Sequence, residues 1–319
     1  MPRPPFEIAG FVGQRTVLTP VLRELEGALA RGEPMPHTLV LGPSGIGKTA
    51  LFEALARQAR AGLKKVVGRA TLEEVVESLR SLQAGDYHVF DESHNLGDEL
   101  QEMLFEVIDR SVIPARCLPA DQRAAPVPVP RCTLVFATDQ PGRLRNALRK
   151  RLPQRIRLRD YAEAEMKEIV ARIAERLDVL LSPQAARQVA RICNGLPRRA
   201  RHYVHGLRLY YPDSERSQIG LPQVEEYLRA KAIESDGLTD AEIDYLRYLA
   251  REERASIETL AAVLGVDTAY VAAEVEQPLR YRGLVQIGSG GRSLTQAGRQ
   301  RAAALPPPAS LADDEPAGA

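Results

Sequence analysis

The residues best suited to chemistry lie in a glycine-rich stretch, GPSGIGKT at residues 42–49, which fits the pattern GxxxxGK[ST]. Its glycines would let backbone N–H groups approach phosphate oxygens closely. They are Gly42, Gly45 and Gly47. Lys48 would reach the β- and γ-phosphates of a nucleotide, and the Thr49 hydroxyl would be a ligand of Mg²⁺. The stretch predicts a loop that binds ATP and Mg²⁺.

A second candidate is the acidic pair that follows a short apolar run, YHVF at residues 87–90. Asp91 would belong to the Mg²⁺ shell, and Glu92 would orient and polarise the attacking water as a general base. Apolar residues followed by Asp-Glu are common at helix starts, so the prediction depends on the glycine-rich loop upstream. Together the two motifs predict hydrolysis of a nucleotide.

The elements that must position these motifs alternate between strand and helix. The run HTLVL at residues 37–41 predicts a strand before the loop, and the periodic segment 48–61 predicts a helix after it. Residues 87–90 and 133–138 predict further strands, and Thr71 with Glu74 forms a capping-box signature. This alternation predicts an α/β fold with a parallel sheet, in which the ligand lies at the carboxyl ends of the strands.

After residue 161 the strand pattern disappears, and helices are predicted at 163–177, 197–210 and 222–233. Ser182-Pro183 indicates a helix start, and Asn194-Gly195 indicates a helix end. These features predict a small all-helical domain.

A third module is predicted from Gly237 onwards. Thr239 with Glu242 caps one helix, Ser256 caps a second, and a third is expected over 267–281. Two short strands, LVQI and RSLT, then flank a glycine turn. Three helices followed by a hairpin is the order of a winged helix.

Composition sets the outer limits. The 319 residues suffice for two or three domains, the apolar fraction is 44% and the charged fraction is 27%. No run has the length of a membrane span or of a secretory signal, which leads us to expect a cytoplasmic protein. Cys117, Cys132 and Cys193 lack zinc-site spacing. The net charge of +1 does not by itself indicate nucleic acid, and the local arginine clusters are equally typical of solvated helix faces.

Taken in order, several blocks of the chain resemble RuvB proteins. They are RPPxxxxxFVGQ near the start, GPSGIGKT, DESH, VFATDQPGRL, LRKRL, GLPRRAR and EVEQPLRYRGLV. Many AAA+ ATPases share single blocks, whereas the ordered set from about Arg3 to Ala304 is specific to RuvB-like proteins. The resemblance implies an ATP-driven hexameric motor that moves Holliday junctions with RuvA during DNA recombination and repair.

The resemblance also implies a domain organisation. The expected segments are an AAA+ large ATPase domain at 1–160, a helical lid domain at 161–236, a winged-helix DNA-binding domain at 237–305 and a disordered tail at 306–319.

Residue by residue, the resemblance implies further roles in nucleotide chemistry. Thr138 matches sensor 1, whose polar tip contacts the γ-phosphate or the water. Arg151 matches the arginine finger that enters the neighbouring subunit's ATP site, with Arg149 as the alternative. Arg198 matches sensor 2 on the helical domain.

Two more positions, Arg3 and Tyr161, match residues that line the nucleotide site in the family. For DNA, Arg292 in the wing matches a DNA-binding arginine. Additional phosphate contacts are expected from Arg280, Arg282 and Arg299. The alternative for these arginines is the surface of a winged helix that binds protein.

The chain departs from the family pattern in two places that concern its partners. The family has a wing arginine five residues before the position of Arg292, and this chain has Ile287 there. The segment 112–132, which in RuvB is a hairpin that engages RuvA, contains five prolines in this chain and is not expected to form a regular hairpin. Binding of a RuvA-like partner is therefore left open. Milder departures are the DESH motif and Leu152, which replaces an aromatic residue.

Three hypotheses follow. The first is an ATP-hydrolysing translocase that forms a ring on branched or duplex DNA. The second is an ATP-gated switch or loader that assembles on DNA and recruits a partner without translocating. The third, a winged-helix regulator with a vestigial ATPase, is disfavoured by the complete set of nucleotide residues.

Overall fold

The computed structural model describes residue 8, residues 10–213 and residues 215–305. The predictions for Arg3 and for the tail at 306–319 lie outside the described residues. The chain divides into two compact units, separated between Gln218 and Ile219. The predicted boundaries of the three modules stay a prediction.

A parallel five-stranded sheet forms the centre of the first unit, in the order β2-β3-β6-β1-β7. The strands of this unit are β1 (Thr38–Leu41), β2 (Leu63–Val67), β3 (Tyr87–Asp91), β4 (Val112–Ile113), β5 (Val127–Pro128), β6 (Thr133–Thr138) and β7 (Gln154–Arg157). The three central strands are almost entirely buried and match the predicted strands. The two edge strands, β2 and β7, contain charged residues and were not predicted.

Helices surround this sheet and form the lid. They are α1 (Arg15–Arg31), α2 (Lys48–Ala59), α3 (Leu72–Arg80), α4 (Asp98–Arg110), α5 (Asn146–Lys150), α6 (Glu163–Arg176), α7 (Pro183–Ile192) and α8 (Pro197–Tyr210). The capping box is confirmed, because Thr71 Oγ1 accepts from Glu74 N at 3.2 Å and Glu74 Oε2 accepts from Thr71 N at 2.8 Å. Ser182 caps α7 as predicted.

The proline-rich segment corrects one expectation, because a short antiparallel hairpin forms there between β4 and β5. Val129 N donates to Ser111 O at 2.8 Å, so Pro128 occupies the alternate position, whose N–H would point away from the partner strand. The proline therefore costs no ladder bond. Cys117 and Leu118 are buried in the core of the unit, whereas residues 119–126 are exposed.

The second unit contains the predicted winged helix. Its elements are α9 (Leu221–Ala230), α10 (Asp240–Glu252), α11 (Ile257–Leu264), α12 (Thr268–Tyr270), a π-helical turn (Val271–Glu276), α13 (Gln277–Tyr281), β8 (Val285–Gly288), β9 (Gly291–Leu294) and α14 (Gln296–Ala303). The caps at Thr239 and Ser256 are as predicted. The helix predicted over 267–281 contains a π turn, and the final helix was not predicted. Strands β8 and β9 pair antiparallel and form the wing.

Across the described part of the chain, none of the helices is both long enough and apolar enough to span a membrane.

Candidate nucleotide site and winged-helix surface

The glycine-rich loop connects β1 to α2 at the carboxyl edge of the sheet. Its three glycines have positive φ values, 156° at Gly42, 79° at Gly45 and 104° at Gly47, where a side chain would be strained. Lys48 Nζ donates to the carbonyl oxygens of Gly42 at 2.9 Å and Pro43 at 3.0 Å. Burial lowers the pKa of Lys48, and nearby carboxylates oppose that shift. The ammonium group is thus held by carbonyl oxygens of the loop itself.

The acidic side of the site begins at Asp91, the last residue of β3. Asp91 Oδ2 accepts from Thr49 Oγ1 at 2.8 Å and pairs with Lys65 Nζ at 3.0 Å. Burial opposes ionisation of Asp91, but these two hydrogen bonds outweigh it and lower the pKa. A hydroxyl and a carboxylate are hard oxygen donors of the kind that Mg²⁺ prefers, and a cation already contacts the carboxylate. The residues therefore fit the predicted metal. Lys65 was not predicted, because its role is evident only from its contact with Asp91 in the folded chain.

Glu92 and Thr138 are brought together by a histidine that sequence reasoning did not select. His94 Nδ1 lies 3.1 Å from Thr138 Oγ1 and 3.5 Å from both Glu92 Oε2 and Asp139 Oδ1. Thr138 ends β6 and is fully buried, and its hydroxyl accepts from Gln140 N at 2.9 Å. The DESH motif contained the signal for His94. The result is a connected polar cluster beside Asp91.

The lid reaches the loop through Arg198. Arg198 N donates to Gly45 O at 3.2 Å, and Arg198 Nη1 donates to Ser44 Oγ at 3.1 Å. A Cβ added at Gly45 would lie 2.5 Å from the Arg198 Cβ, so only glycine permits this approach. Tyr161 is buried, and its hydroxyl lies 3.6 Å from the place where a Cβ at Gly47 would be. Both predicted lid-side residues therefore lie against the loop.

A cavity of about 280 Å³ lies next to this region, and the sequence did not indicate it. Phe11 lines the cavity together with Val12, Leu18 and Arg172. The Phe11 ring also approaches to 3.6 Å of the place where a Cβ at Gly47 would be, so the cavity begins beside the phosphate loop. The FVGQ block therefore contributes to the nucleotide region through Phe11.

Arg151 directly follows α5, and its guanidinium contacts α4 rather than the residues of this cluster. Its Nε donates to Asp109 Oδ1 at 2.8 Å and Oδ2 at 2.9 Å, and its Nη2 pairs with Oδ2 at 2.8 Å. The guanidinium also lies over the Phe105 ring, 5.4 Å from its centre. The alternative finger, Arg149, has a buried Nε without a hydrogen-bond partner among the described residues. Arg151 is thus an ordered cation on a surface.

In the winged helix, two of the four predicted DNA contacts are engaged by internal acids. Arg292 Nε donates to Glu276 Oε2 at 2.7 Å, and the same oxygen accepts from Tyr245 OH at 3.1 Å. Arg282 Nη2 pairs with Asp236 Oδ2 at 2.6 Å, and Arg301 also binds Asp236.

The other two predicted contacts, Arg280 and Arg299, are exposed. Arg299 Nη1 donates to the backbone oxygen of Leu294 at 2.9 Å, and this contact does not compensate its charge. Ile287, at the position of the missing wing arginine, is 43% exposed. The prediction that these arginines contact DNA stays a prediction.

Comparison with known proteins gives a consistent result. The family described as the Holliday junction DNA helicase RuvB P-loop domain matches residues 3–158, and the RuvB C-terminal winged helix domain matches residues 235–301. The chain is 30% identical over 315 residues to the Holliday junction branch migration complex subunit RuvB of Paramagnetospirillum magneticum, covering 95% of this chain and 89% of that protein. It is 31% identical to the corresponding subunit of a Synechococcus strain, covering 92% of this chain and 84% of that protein.

Solved structures agree with the sequence relatives. The structure described as the Thermotoga maritima RuvB Holliday junction branch migration motor superposes with a TM-score of 0.79 at 27% identity, covering 96% of this chain and 99% of that one. A mutant of the same protein gives a TM-score of 0.81 at the same identity. The similarity extends over both compact units of the chain.

Proposed function

This chain belongs to the RuvB family, and we propose from that premise that it is an ATP-hydrolysing, ring-forming motor that moves branched DNA. The observation that supports this most directly is that four elements predicted to contact the nucleotide meet at one edge of the sheet. They are the loop at 42–49, Asp91 with Glu92, Thr138, and Arg198 from the lid.

The mechanism follows from what each residue can do in its place. The loop N–H groups and Lys48 would bind the phosphates, and the cavity lined by Phe11 would take the base. Thr49 and Asp91 would hold Mg²⁺, which would supply positive charge against the phosphates. Glu92 would accept the proton of the attacking water, and His94 and Thr138 would fix the orientation of its carboxylate.

The position of Arg151 is the reason for proposing a ring. Its guanidinium is bound to Asp109 on α4 rather than to its own nucleotide loop, yet remains partly exposed. A partly exposed arginine held there is suited to stabilise phosphoryl-transfer charge on a nucleotide bound by another copy, as an arginine finger does. We expect six copies on the family's precedent, with the winged helices contacting DNA.

The test is ATP turnover with and without a four-way DNA junction, together with strand movement on the same junction. Wild-type protein should hydrolyse ATP faster on the junction and move its strands. Lys48→Ala should lose nucleotide binding. Glu92→Gln should keep nucleotide binding and lose turnover by about 10²–10⁴. A protein that hydrolyses ATP and binds DNA but never moves strands would contradict the motor.

That last outcome would instead support the second candidate, an ATP-gated switch or loader that recruits a partner. The observation that favours it is the segment between β4 and β5. There the ladder has only two residue pairs and the exposed part, residues 119–126, is rich in proline and polar residues. The switch predicts ATP-dependent rings on DNA with slow hydrolysis and no strand movement. Recruitment of a RuvA-like partner is tested separately, by adding one and measuring strand movement.

A further inference from the structure

The wing of the second unit is bound to a segment that precedes it by more than thirty residues in the chain. Ala255 N donates to Arg292 O at 3.1 Å, and Arg292 N donates to Ala255 O at 2.8 Å. Gly291 permits this pairing, because a Cβ there would lie 2.5 Å from Ala255 O. The turn between α10 and α11 therefore adds one rung to the two-stranded wing.

This rung places the side chain of Arg254 at the tip of the wing. A Cβ added at Gly290 would lie 2.8 Å from Arg254 Nη1 and 3.6 Å from its Cδ, so the guanidinium packs on the glycine of the turn. Arg254 is exposed. Its acidic neighbour Glu252 is bound by Arg251 at 2.7 Å. Within residues 219–305, the Arg254 guanidinium forms no hydrogen bond or ion pair.

The wing arginine Arg292, unlike Arg254, is largely buried and paired with a carboxylate. Its side chain is 19% exposed and its partner Glu276 is 3% exposed, and the Glu276 carboxylate also accepts from Tyr245 OH. A guanidinium bound to a buried carboxylate has no net charge to offer a phosphate. If it left, it would leave Glu276 buried and unpaired, which is costly. Arg292 therefore fixes the wing to the helices behind it.

We propose that Arg254, and not Arg292, supplies the wing's contact with the phosphate backbone of duplex DNA. The inference rests on the proposed function, since it presumes that the winged helix binds DNA. Arg254 provides a cation at the wing tip that the sequence lacks at Ile287. Arg254 lies between α10 and α11, so it is absent from the sequence of the wing strands themselves.

The test measures the affinity of the full chain for a labelled DNA duplex over a range of salt concentrations, with a non-hydrolysable ATP analogue present. Each phosphate neutralised adds about 0.9 to the slope of log affinity against log salt. Arg254→Ala should lower the magnitude of that slope by about 0.9 per subunit bound, and Arg254→Lys should keep it. Gly290→Ala should weaken binding less, because its new methyl group displaces only the Arg254 guanidinium.

Two further variants separate the roles. Arg292→Ala should lower the stability of the unit but leave the slope per bound subunit unchanged, and Arg187→Ala, an exposed arginine in the first unit, should change neither. If Arg254→Ala keeps the wild-type slope and Arg292→Ala reduces it, the assignment of the phosphate contact to Arg254 is wrong. The proposed function would then still stand. Failure of the wild-type chain to bind DNA would overturn the proposed function and this inference with it.

Discussion

The nucleotide loop and the wing both match family motifs, yet they differ in how their cations are used in the folded chain. Among the described residues, the hydrogen bonds of Lys48 Nζ go to carbonyl oxygens of its own loop, which a phosphate can replace. Arg292 is bound to a buried carboxylate contributed by another segment. The loop's geometry is local, because its glycines set the backbone. A match at one side chain, such as Arg292, does not show that the side chain is free to bind a ligand, because the residue that pairs with it lies elsewhere in the sequence.

The largest effect that would sharpen this comparison is expected at Arg151. Arg151→Ala should reduce ATP turnover by about 10³–10⁵ while nucleotide binding stays intact, because the side chain is bound to Asp109 and not to its own loop. Turnover and binding of a fluorescent ATP analogue are the measurements. Mixing this variant with Lys48→Ala should restore activity, since one supplies the loop and the other the arginine. A larger loss in Arg149→Ala, without recovery on mixing, would assign the finger to Arg149.

In the winged helix the expected effect is on stability rather than chemistry. Glu276→Gln should lower the free energy of unfolding of the second unit by about 3 kcal/mol, because it leaves the Arg292 charge poorly compensated. Urea denaturation followed by circular dichroism would measure it, and DNA-independent ATP turnover serves as the control. An unchanged midpoint would show that the pair is dispensable, which would remove the contrast with the loop.

A smaller stability effect is expected at Asp236. Burial opposes ionisation, but hydrogen bonds from Arg301 and Arg282 outweigh it and lower the pKa to about 2 from 3.8. A folded-state pKa below the unfolded value gives stability that is present above about pH 4 and is lost as the pH falls towards 2. Asp236→Asn should therefore cost on the order of 2 kcal/mol at neutral pH. The difference in the free energy of unfolding between wild type and variant should disappear as the pH falls towards 2, which urea denaturation at several pH values would measure. A difference that does not change with pH would contradict an origin in the ion pairs of Asp236.

The smallest effect is expected at Lys65, which forms an ion pair with Asp91, the carboxylate predicted to bind Mg²⁺. Lys65→Met should lower the Mg²⁺ concentration needed for nucleotide binding by about two- to fivefold, because an exposed ion pair is worth at most about 1 kcal/mol. A Mg²⁺ titration of ATP-analogue binding measures this. Lys64→Met, which removes the adjacent exposed charge, is the matched control. Equal shifts in both variants would indicate a general charge effect.

The sequence predicted the strands that run through the middle of the sheet and missed those at its edges. Strands β1, β3 and β6 are buried on both faces, which makes them continuous apolar runs. The edge strands have the sequences LKKVV and QRIR, because a strand that faces solvent on one side tolerates charge. Their pairing partners, not their composition, make them strands.

The candidate site was predictable to the same extent. The loop, Asp91, Glu92 and Thr138 lie in local motifs, and the structure brings them together. His94 stands in the DESH motif, but its role is visible only from its contact with Glu92. Lys65 has no pattern of its own, and the pairing of β2 with β3 brings it to Asp91. The prediction that the prolines prevent a hairpin was wrong at Pro128, although the residue type was visible in the sequence. The effect of Pro128 depends on which side of the strand its missing donor would face.

The contact between Arg198 and Gly45 has a consequence for how the protein can change over time. Gly45 belongs to the phosphate loop, and a Cβ at this position would lie 2.5 Å from the Cβ of Arg198 on the lid. The loop and the helical lid are joined at this residue by a backbone hydrogen bond, from Arg198 N to Gly45 O, as well as by the Arg198 side chain. Any other residue at position 45 would have to displace Arg198, so the loop and its contact with the lid constrain the same position, and a change there alters both.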